Sequence, residues 1–175
     1  MPKGNMEQNT SANPIGHVRY QGYSPGTVGR ITEAHAVYYH KHWGFDVSFE
    51  AQVAAELSAF LIDFKAERDG LWVATVDEVF AGAIAIAGTG SNKARLRWYI
   101  VVPPYQGCGI GKALIEKAVA FSRENGYRRV YLWTFEGLDQ ARKLYERSGF
   151  TLSQEKIAPQ WGQLIKEQRF DLILS

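Results

Sequence analysis

The 175-residue chain has one cysteine, two methionines and almost no net charge: 20 basic against 18 acidic side chains leave +2 with histidine neutral. A single thiol excludes an internal disulfide and a cysteine-rich zinc site, and no metal-ligand set is read. The charge balance argues against a wide surface for gripping a nucleic-acid backbone. Long apolar runs are missing as well. The longest near-apolar stretch, Val79 to Gly88, is half of the roughly 20 residues that a membrane helix needs. The N-terminal residues up to Gly16 lack the apolar segment of a secretory signal. What is present is ordinary for a globular protein, with 46% hydrophobic, 22% charged and 13% aromatic residues. That length and composition suffice for one core without covalent staples. The reading is one cytoplasmic domain with no nucleic-acid and no membrane partner.

Residues 1–15 are polar and read as a disordered leader, and residues 16–175 as the domain. Alternation from His17 to Tyr23 predicts a short strand, and Ser24-Pro25-Gly26 a turn. Ile31, Ala34, His35, Tyr38 and His42 recur at helical spacing up to Trp43-Gly44, where the glycine suits a C-cap. Ser48 is the expected N-cap of a second helix with a stripe of Phe49, Val53, Leu57, Phe60 and Phe64. The period then shortens to that of strands. Leu71–Val76 and Val79–Ala87 flank Asp77-Glu78 as a hairpin, a looser turn over Gly88–Asn92 leads into Ala94–Val102, and Pro103-Pro104 ends that third strand. A helix around Ile110–Phe121, a strand Val130–Phe135, a helix Leu138–Gly149 and two strands, Phe150–Lys156 and Glu167–Leu174, complete the order β-α-α-β-β-β-α-β-α-β-β. Antiparallel runs with one crossover define an α+β fold: a mixed, mostly antiparallel sheet flanked by helices.

The segment richest in chemistry is Val101–Ala113, VVPPYQGCGIGKA. An apolar strand stopped by prolines and followed by a Gly-rich helix start presents free N–H groups and the positive end of a helix dipole, a site for phosphate. Spacing separates the known loops of this kind. A triphosphate loop ending at Gly111-Lys112 needs Gly and a hydroxyl where Gln106 and Ala113 stand, and a dinucleotide fingerprint from Gly107 needs Gly where Lys112 stands. The remaining pattern, [RQ]-G-x-G-[IVL]-G, is met by Gln106-Gly107-Cys108-Gly109-Ile110-Gly111.

With that loop, and with Ala141-Arg142-Lys143-Leu144-Tyr145-Glu146-Arg147-Ser148-Gly149-Phe150 about thirty residues on, the chain resembles the GCN5-related N-acetyltransferases (GNAT) over residues 17–174. The HWGFD segment and Leu132–Phe150 are also similar to acetyltransferase domains fused to MarR-type regulators, without a DNA-binding half. The resemblance implies an acetyl-CoA-dependent N-acetyltransferase acting by direct attack on a small-molecule or peptide amine, with homodimers common among relatives. Two alternatives stay open: a CoA-binding regulatory module without catalysis, or an acyltransferase using another acyl-CoA or an oxygen acceptor.

The resemblance places the cofactor pyrophosphate on Gln106, Gly107, Cys108, Gly109, Ile110, Gly111 and Lys112, and its pantetheine arm along Ile100, Val101 and Val102. An oxyanion donor is expected from the N–H of Val101 or Val102, and Tyr145 matches the family tyrosine that serves as the acid for the departing thiolate. Position 138, often an Asn in the family, is Leu138 here. Candidates for the base are Glu33, Glu50, Glu136, His35, His40 and His42, with Glu50 preferred because it opens a helix beside the aromatic stretch. Tyr39 and Trp161 are the expected acceptor-site residues, from the first helices and the last hairpin. Lys93, Arg95 and Arg97 alternate onto one face of the strand before the loop, a solvated face or, where it opens to the acceptor site, one that repels polyamines and suits an amine that also bears a carboxylate. Cys108 reads as a small loop residue rather than a nucleophile.

Overall fold

The computed structural model describes residues 15–175, so nearly all of the expected leader lies outside the described residues. The elements follow the expected order. They are β1 (Val18–Gln21), α1 (Thr27–Trp43), α2 (Val47–Ile62), β2 (Gly70–Val76), β3 (Val79–Gly90), β4 (Lys93–Val101), a 3-10 turn (Pro103–Tyr105), α3 (Ile110–Glu124), β5 (Arg129–Phe135), α4 (Asp139–Arg147), β6 (Thr151–Gln160) and β7 (Gln163–Ile173). Seven strands form one sheet in the order β1-β2-β3-β4-β5-β7-β6, in which β4–β5 is parallel and all other pairs are antiparallel. One face packs on α3 and α4 through Leu114, Ile115, Ala118, Val130 and Phe170. The other face packs on α1 and α2 through Ile31, Phe45, Val53, Leu57 and Val73. No helix among the described residues is long and apolar enough to cross a membrane.

Local chemistry explains most boundaries. Gly44 ends α1 at φ 69°, with its N–H on His40 O at 2.9 Å, as expected of a left-handed C-cap. Asp77 and Glu78, both at positive φ, make the two-residue turn between β2 and β3. The N-cap of α2 is Asp46 rather than Ser48: its carboxylate accepts the Ser48 N–H at 2.9 Å and so caps the helix two residues earlier. Phe64 lies beyond the end of α2, with its ring edge-on to Phe60. The last two strands are several residues longer than their apolar content suggests and close at Trp161-Gly162, both at positive φ. Pairing with β7 carries the polar, exposed β6.

Two irregularities in β4 position everything that follows. The strand pairs with β5 only from Lys93 to Arg95 against Arg129 to Tyr131, although β4 runs on to Val101 and β5 to Phe135. Beyond Arg95 the two strands part and leave a wedge in the sheet. In addition, Ala83 pairs with Ile100 but Ala85 with Arg97, so β4 carries one extra residue, and Trp98 takes φ 47°. This bulge reverses the alternation. Ala94 and Leu96 face α3, Arg97 and Trp98 both turn toward α2, and Tyr99 and Val101 return to the α3 side.

Candidate active site

The loop after β4 is built from prolines and glycines for conformational reasons. Tyr105 N–H bonds Val102 O at 3.0 Å and Gln106 N–H bonds Pro103 O at 3.3 Å, which closes the 3-10 turn. Gly107 and Gly109 have φ 76° and 86°, values that an L side chain adopts only at a cost. Gly109 caps α3 without any side-chain acceptor, and the first intrahelical bond runs from Ala113 N–H to Gly109 O at 3.1 Å. The N–H groups of Ile110, Gly111 and Lys112 therefore lack intrahelical partners and mark the positive end of the helix. That end opens into a cleft of about 510 Å³ between the loop and α4, where Lys112, Lys143 and Arg147 oppose Asp139. Oriented N–H groups with a cationic rim suit a polyanion such as a diphosphate.

Seven of the ten residues expected to hold the cofactor line this cleft: Ile100, Val101, Gln106, Gly107, Gly109, Gly111 and Lys112. The other three are placed elsewhere. Val102 donates its N–H to Ala81 O at 2.9 Å. Ile110 is 1% exposed and belongs to the core. Cys108 is exposed, with its Sγ 3.7 Å from Gln106 O. Gln106 contributes its side chain as well, since Nε2 donates to Val101 O at 2.9 Å.

The wedge decides which main-chain groups are available. Because the ladder bond near the end of β4 runs from Val102 N–H to Ala81 O, Gly82–Val101 is a non-hydrogen-bonded pair, and the Val101 N–H and C=O point away from β3. They point to the side from which β5 has withdrawn. Of the two oxyanion donors expected from sequence, Val102 is thus committed to the sheet and Val101 faces the gap.

On the α2 side of the wedge lies a second cavity, of about 360 Å³, walled by α1, α2, β4, β5 and the β6–β7 hairpin. Tyr39, Tyr99, Leu138 and Tyr145 line both cavities and form the junction between them. Tyr145 is 5% exposed, and burial, then the nearby phenols of Tyr99 and Tyr39, push its own phenol well above the usual range. Burial also raises the phenols of Tyr39 and Tyr99. Tyr99 was not anticipated from sequence, because strict alternation puts it on the face of Arg95 and Arg97; the bulge at Trp98 puts it beside Tyr145, ring centroids 5.8 Å apart.

Trp161 lines the second cavity, with its Nε1 donating to Gln52 Oε1 at 2.8 Å and its ring against Phe45 and Phe49. The hairpin tip is anchored to the start of α2 by Asp46 N–H on Trp161 O at 3.1 Å. Glu50, the base preferred from sequence, lines neither cavity: α2 turns Phe49 and Val53 inward, and Glu50, about 100° around the helix from Phe49, is exposed. Glu33 and His42 are also exposed, His40 bonds Phe45 O at 2.9 Å, and Glu136 pairs with Lys166 at 3.2 Å.

His35 is the sequence candidate that reaches the second cavity. Its Nδ1 lies 2.8 Å from Ile31 O; a carbonyl only accepts, so Nδ1 carries the hydrogen and Nε2 keeps its lone pair. Burial holds the ring neutral and lowers its pKa to about 4. Glu56, which sequence reasoning missed, lines the same cavity from α2 and pairs with Arg97; it sits seven residues after Phe49 on the helical stripe, which is the signal that was available. Two of the three stripe cations, Arg95 and Arg97, face the cavity, whereas Lys93 is exposed at the strand start and does not line it.

Comparison with known proteins bears on the family and the fold. Residues 28–150 match the Acetyltransferase (GNAT) family. Among curated relatives, an uncharacterized N-acetyltransferase of Methanocaldococcus jannaschii is 27% identical over 136 residues, 74% of this chain and 59% of the relative. The [ribosomal protein bS18]-alanine N-acetyltransferase of Haemophilus influenzae is 39% identical over 66 residues, 38% of this chain and 44% of the relative. The chain thus spans about half the length of these two relatives. Among solved structures, a GNAT acetyltransferase of Staphylococcus aureus superposes with TM-score 0.73 at 17% identity, covering 91% of this chain and 100% of that one. The Salmonella typhimurium acetyltransferase yncA, solved with acetyl-CoA, superposes with TM-score 0.69 at 16% identity, covering 90% and 94%. The family match spans well over half of the chain, and with it the loop, the wedge and the α4 tyrosine: this protein belongs to the GNAT acetyltransferase family.

Proposed function

We propose that the protein is a cytoplasmic acetyl-CoA-dependent N-acetyltransferase that acetylates a primary amine by direct attack within a ternary complex. The observation that carries this reading is the junction: a cleft with phosphate-binding character and a separate polar cavity meet at Tyr39, Tyr99, Leu138 and Tyr145. The cleft fits acetyl-CoA in kind. N–H groups of Gly107 to Lys112, with Lys112, Lys143 and Arg147, suit phosphates, and the free N–H of Val101, whose carbonyl accepts from Gln106 Nε2, suits a carbonyl of an amide-bearing arm.

When bound, acetyl-CoA supplies an activated thioester: an N–C bond forms as the C–S bond breaks, the nitrogen loses a proton and the thiolate gains one. Holding both partners at the junction provides much of the rate. Val101 N–H, aimed into the wedge, serves the developing oxyanion. Tyr145, kept protonated by burial, serves the leaving sulfur as hydrogen donor. His35 Nε2 receives a hydrogen bond from the acceptor amine and positions it. With a pKa near 4 it does not retain the proton, which leaves toward Glu56 and Glu167, both of which line the same cavity.

The deciding experiment is thiol release from acetyl-CoA across amino acids, aminoglycosides, polyamines and lysine peptides. Amine-dependent release is expected. Binding of acetyl-CoA with no release by any amine overturns the enzymatic reading in favour of a CoA-binding regulatory module.

A further inference from the structure

The charges that line the second cavity do not cancel. Arg97 is paired with Glu56, and its guanidinium lies 4.0 Å over the Trp98 ring. Lys156 is paired with Glu167 at 2.9 Å and lies 4.9 Å over the Trp133 ring. Arg95 remains. Its side chain makes no ion pair and no hydrogen bond with any described residue, and its Nε is buried without a partner. It lies at the closed end of the wedge, where its register partner Tyr131 marks the last β4–β5 pair. A desolvated guanidinium donor without an acceptor is costly, and the group that compensates best is a planar or tetrahedral oxyanion that takes two of its N–H donors.

We propose that the acceptor is a primary amine bearing an anionic group, a carboxylate or a phosphonate, and that Arg95 is the specificity-determining residue that receives that group. The assignment rests on the acetyl-transfer reading of the junction, which fixes where the amine lies. Arg95 and Tyr99 are four residues apart on β4, at most about 13 Å between Cα atoms at strand rise, and the arginine side chain spans part of that distance. The anion and the amine thus occupy opposite ends of one cavity of about 360 Å³, a volume that holds a small metabolite. A diamine brings a second cation to Arg95 and is rejected. A neutral amide leaves the guanidinium without charge compensation and is accepted poorly.

The test uses matched sets in which one end alone changes: an amino acid or ω-amino acid, its amide, the corresponding diamine and the corresponding aminophosphonate. kcat/KM is measured for each with acetyl-CoA, and each is titrated by calorimetry into the CoA-saturated protein. The wild type is expected to favour a carboxylate or phosphonate over its amide by about 100-fold or more, as a site with buried polar groups rejects an analogue that leaves them unpaired. The better of the two anions identifies the source. Arg95→Gln is expected to shrink the anion-to-amide ratio at least tenfold, and Arg95→Lys to retain part of it, with acetyl-CoA affinity as the check on folding. Equal handling of anion and amide by the wild type overturns the proposal, as does an Arg95→Gln loss that scales all acceptors alike. If no amine turns over, yet anions bind the CoA complex better than amides and lose that advantage in Arg95→Gln, the transfer reading fails and the Arg95 assignment stands. If no anion binds or reacts better than its amide, the assignment fails whatever the turnover.

Discussion

A Cβ placed on Gly111 would collide with the hydroxyl of Tyr99. The first turn of α3 and the bulged segment of β4 are thus in direct apposition, and the third loop glycine is set by a side chain from the strand rather than by its own backbone, which needs no positive φ. Tyr99 lines both cavities, so this contact ties the Gly-rich loop to the junction between them.

Gly111→Ala is expected to destabilise the protein and to weaken acetyl-CoA binding about tenfold. Overpacking of this kind costs about 1–3 kcal/mol, which exceeds the gain of about 1 kcal/mol from alanine's helix propensity. Removing the opposing oxygen in Gly111→Ala/Tyr99→Phe should recover part of both losses. A four-cornered cycle of denaturant unfolding and calorimetric titration measures the coupling; strictly additive effects would show that the contact is not the cause.

Tyr145→Phe removes one oxygen from a ring otherwise fixed by Tyr99, Phe150 and Phe170. The expected result is a kcat lowered about 100-fold, the usual scale for a lost proton donor, with acetyl-CoA affinity changed less than twofold. Because burial raises the phenol further above its ordinary value, the wild-type rate should show no alkaline limb from this group below about pH 10. An unchanged kcat in the variant removes Tyr145 from the chemistry.

His35 links stability to pH. Its pKa is about 4 in the folded protein and about 6.5 in an unfolded chain, so between these values the unfolded state binds the extra proton. The contribution is fully present above pH 6.5 and is lost as pH falls toward 4, about 3 kcal/mol in all. Between pH 7.5 and 4.5 the wild type should therefore lose about 2–3 kcal/mol more unfolding free energy than His35→Gln. Parallel urea-denaturation profiles for the two proteins would contradict a buried neutral imidazole.

The legibility of this protein in its sequence divides along a physical line. Features encoded within a few residues could be read directly. The glycine at the end of α1, the Asp77-Glu78 turn, the prolines that stop β4 and the Gly107-x-Gly109-x-Gly111 helix start each impose a local backbone choice, and the helical stripes of Phe49, Val53 and Leu57 reported which face is buried. These elements yielded the order of strands and helices, the Gly-rich loop before α3 and the resemblance to an acetyltransferase family. Short-range signals were less useful where pairing supplied the stability: β6 is polar and exposed, and its length comes from its register with β7.

The sequence by itself determined the α+β architecture, the Gly-rich helix start after β4 and the resemblance that singles out Tyr145, because each depends on local conformation or on a motif. Only the tertiary structure decided that Trp98 takes a left-handed conformation, that Tyr99 faces the junction, that Val101 rather than Val102 has a free N–H, that Glu50 points to solvent while His35 and Glu56 reach the cavity, and that the Arg95 side chain lacks a partner among the described residues. All of these follow from how β4 is held between two neighbours. One extra residue opposite β3 reverses which side chains face which layer, and the departure of β5 after Arg95 decides which backbone groups and charges are left unpaired. Strand register and strand separation arise between distant segments, so neither is written in any single stretch of the chain.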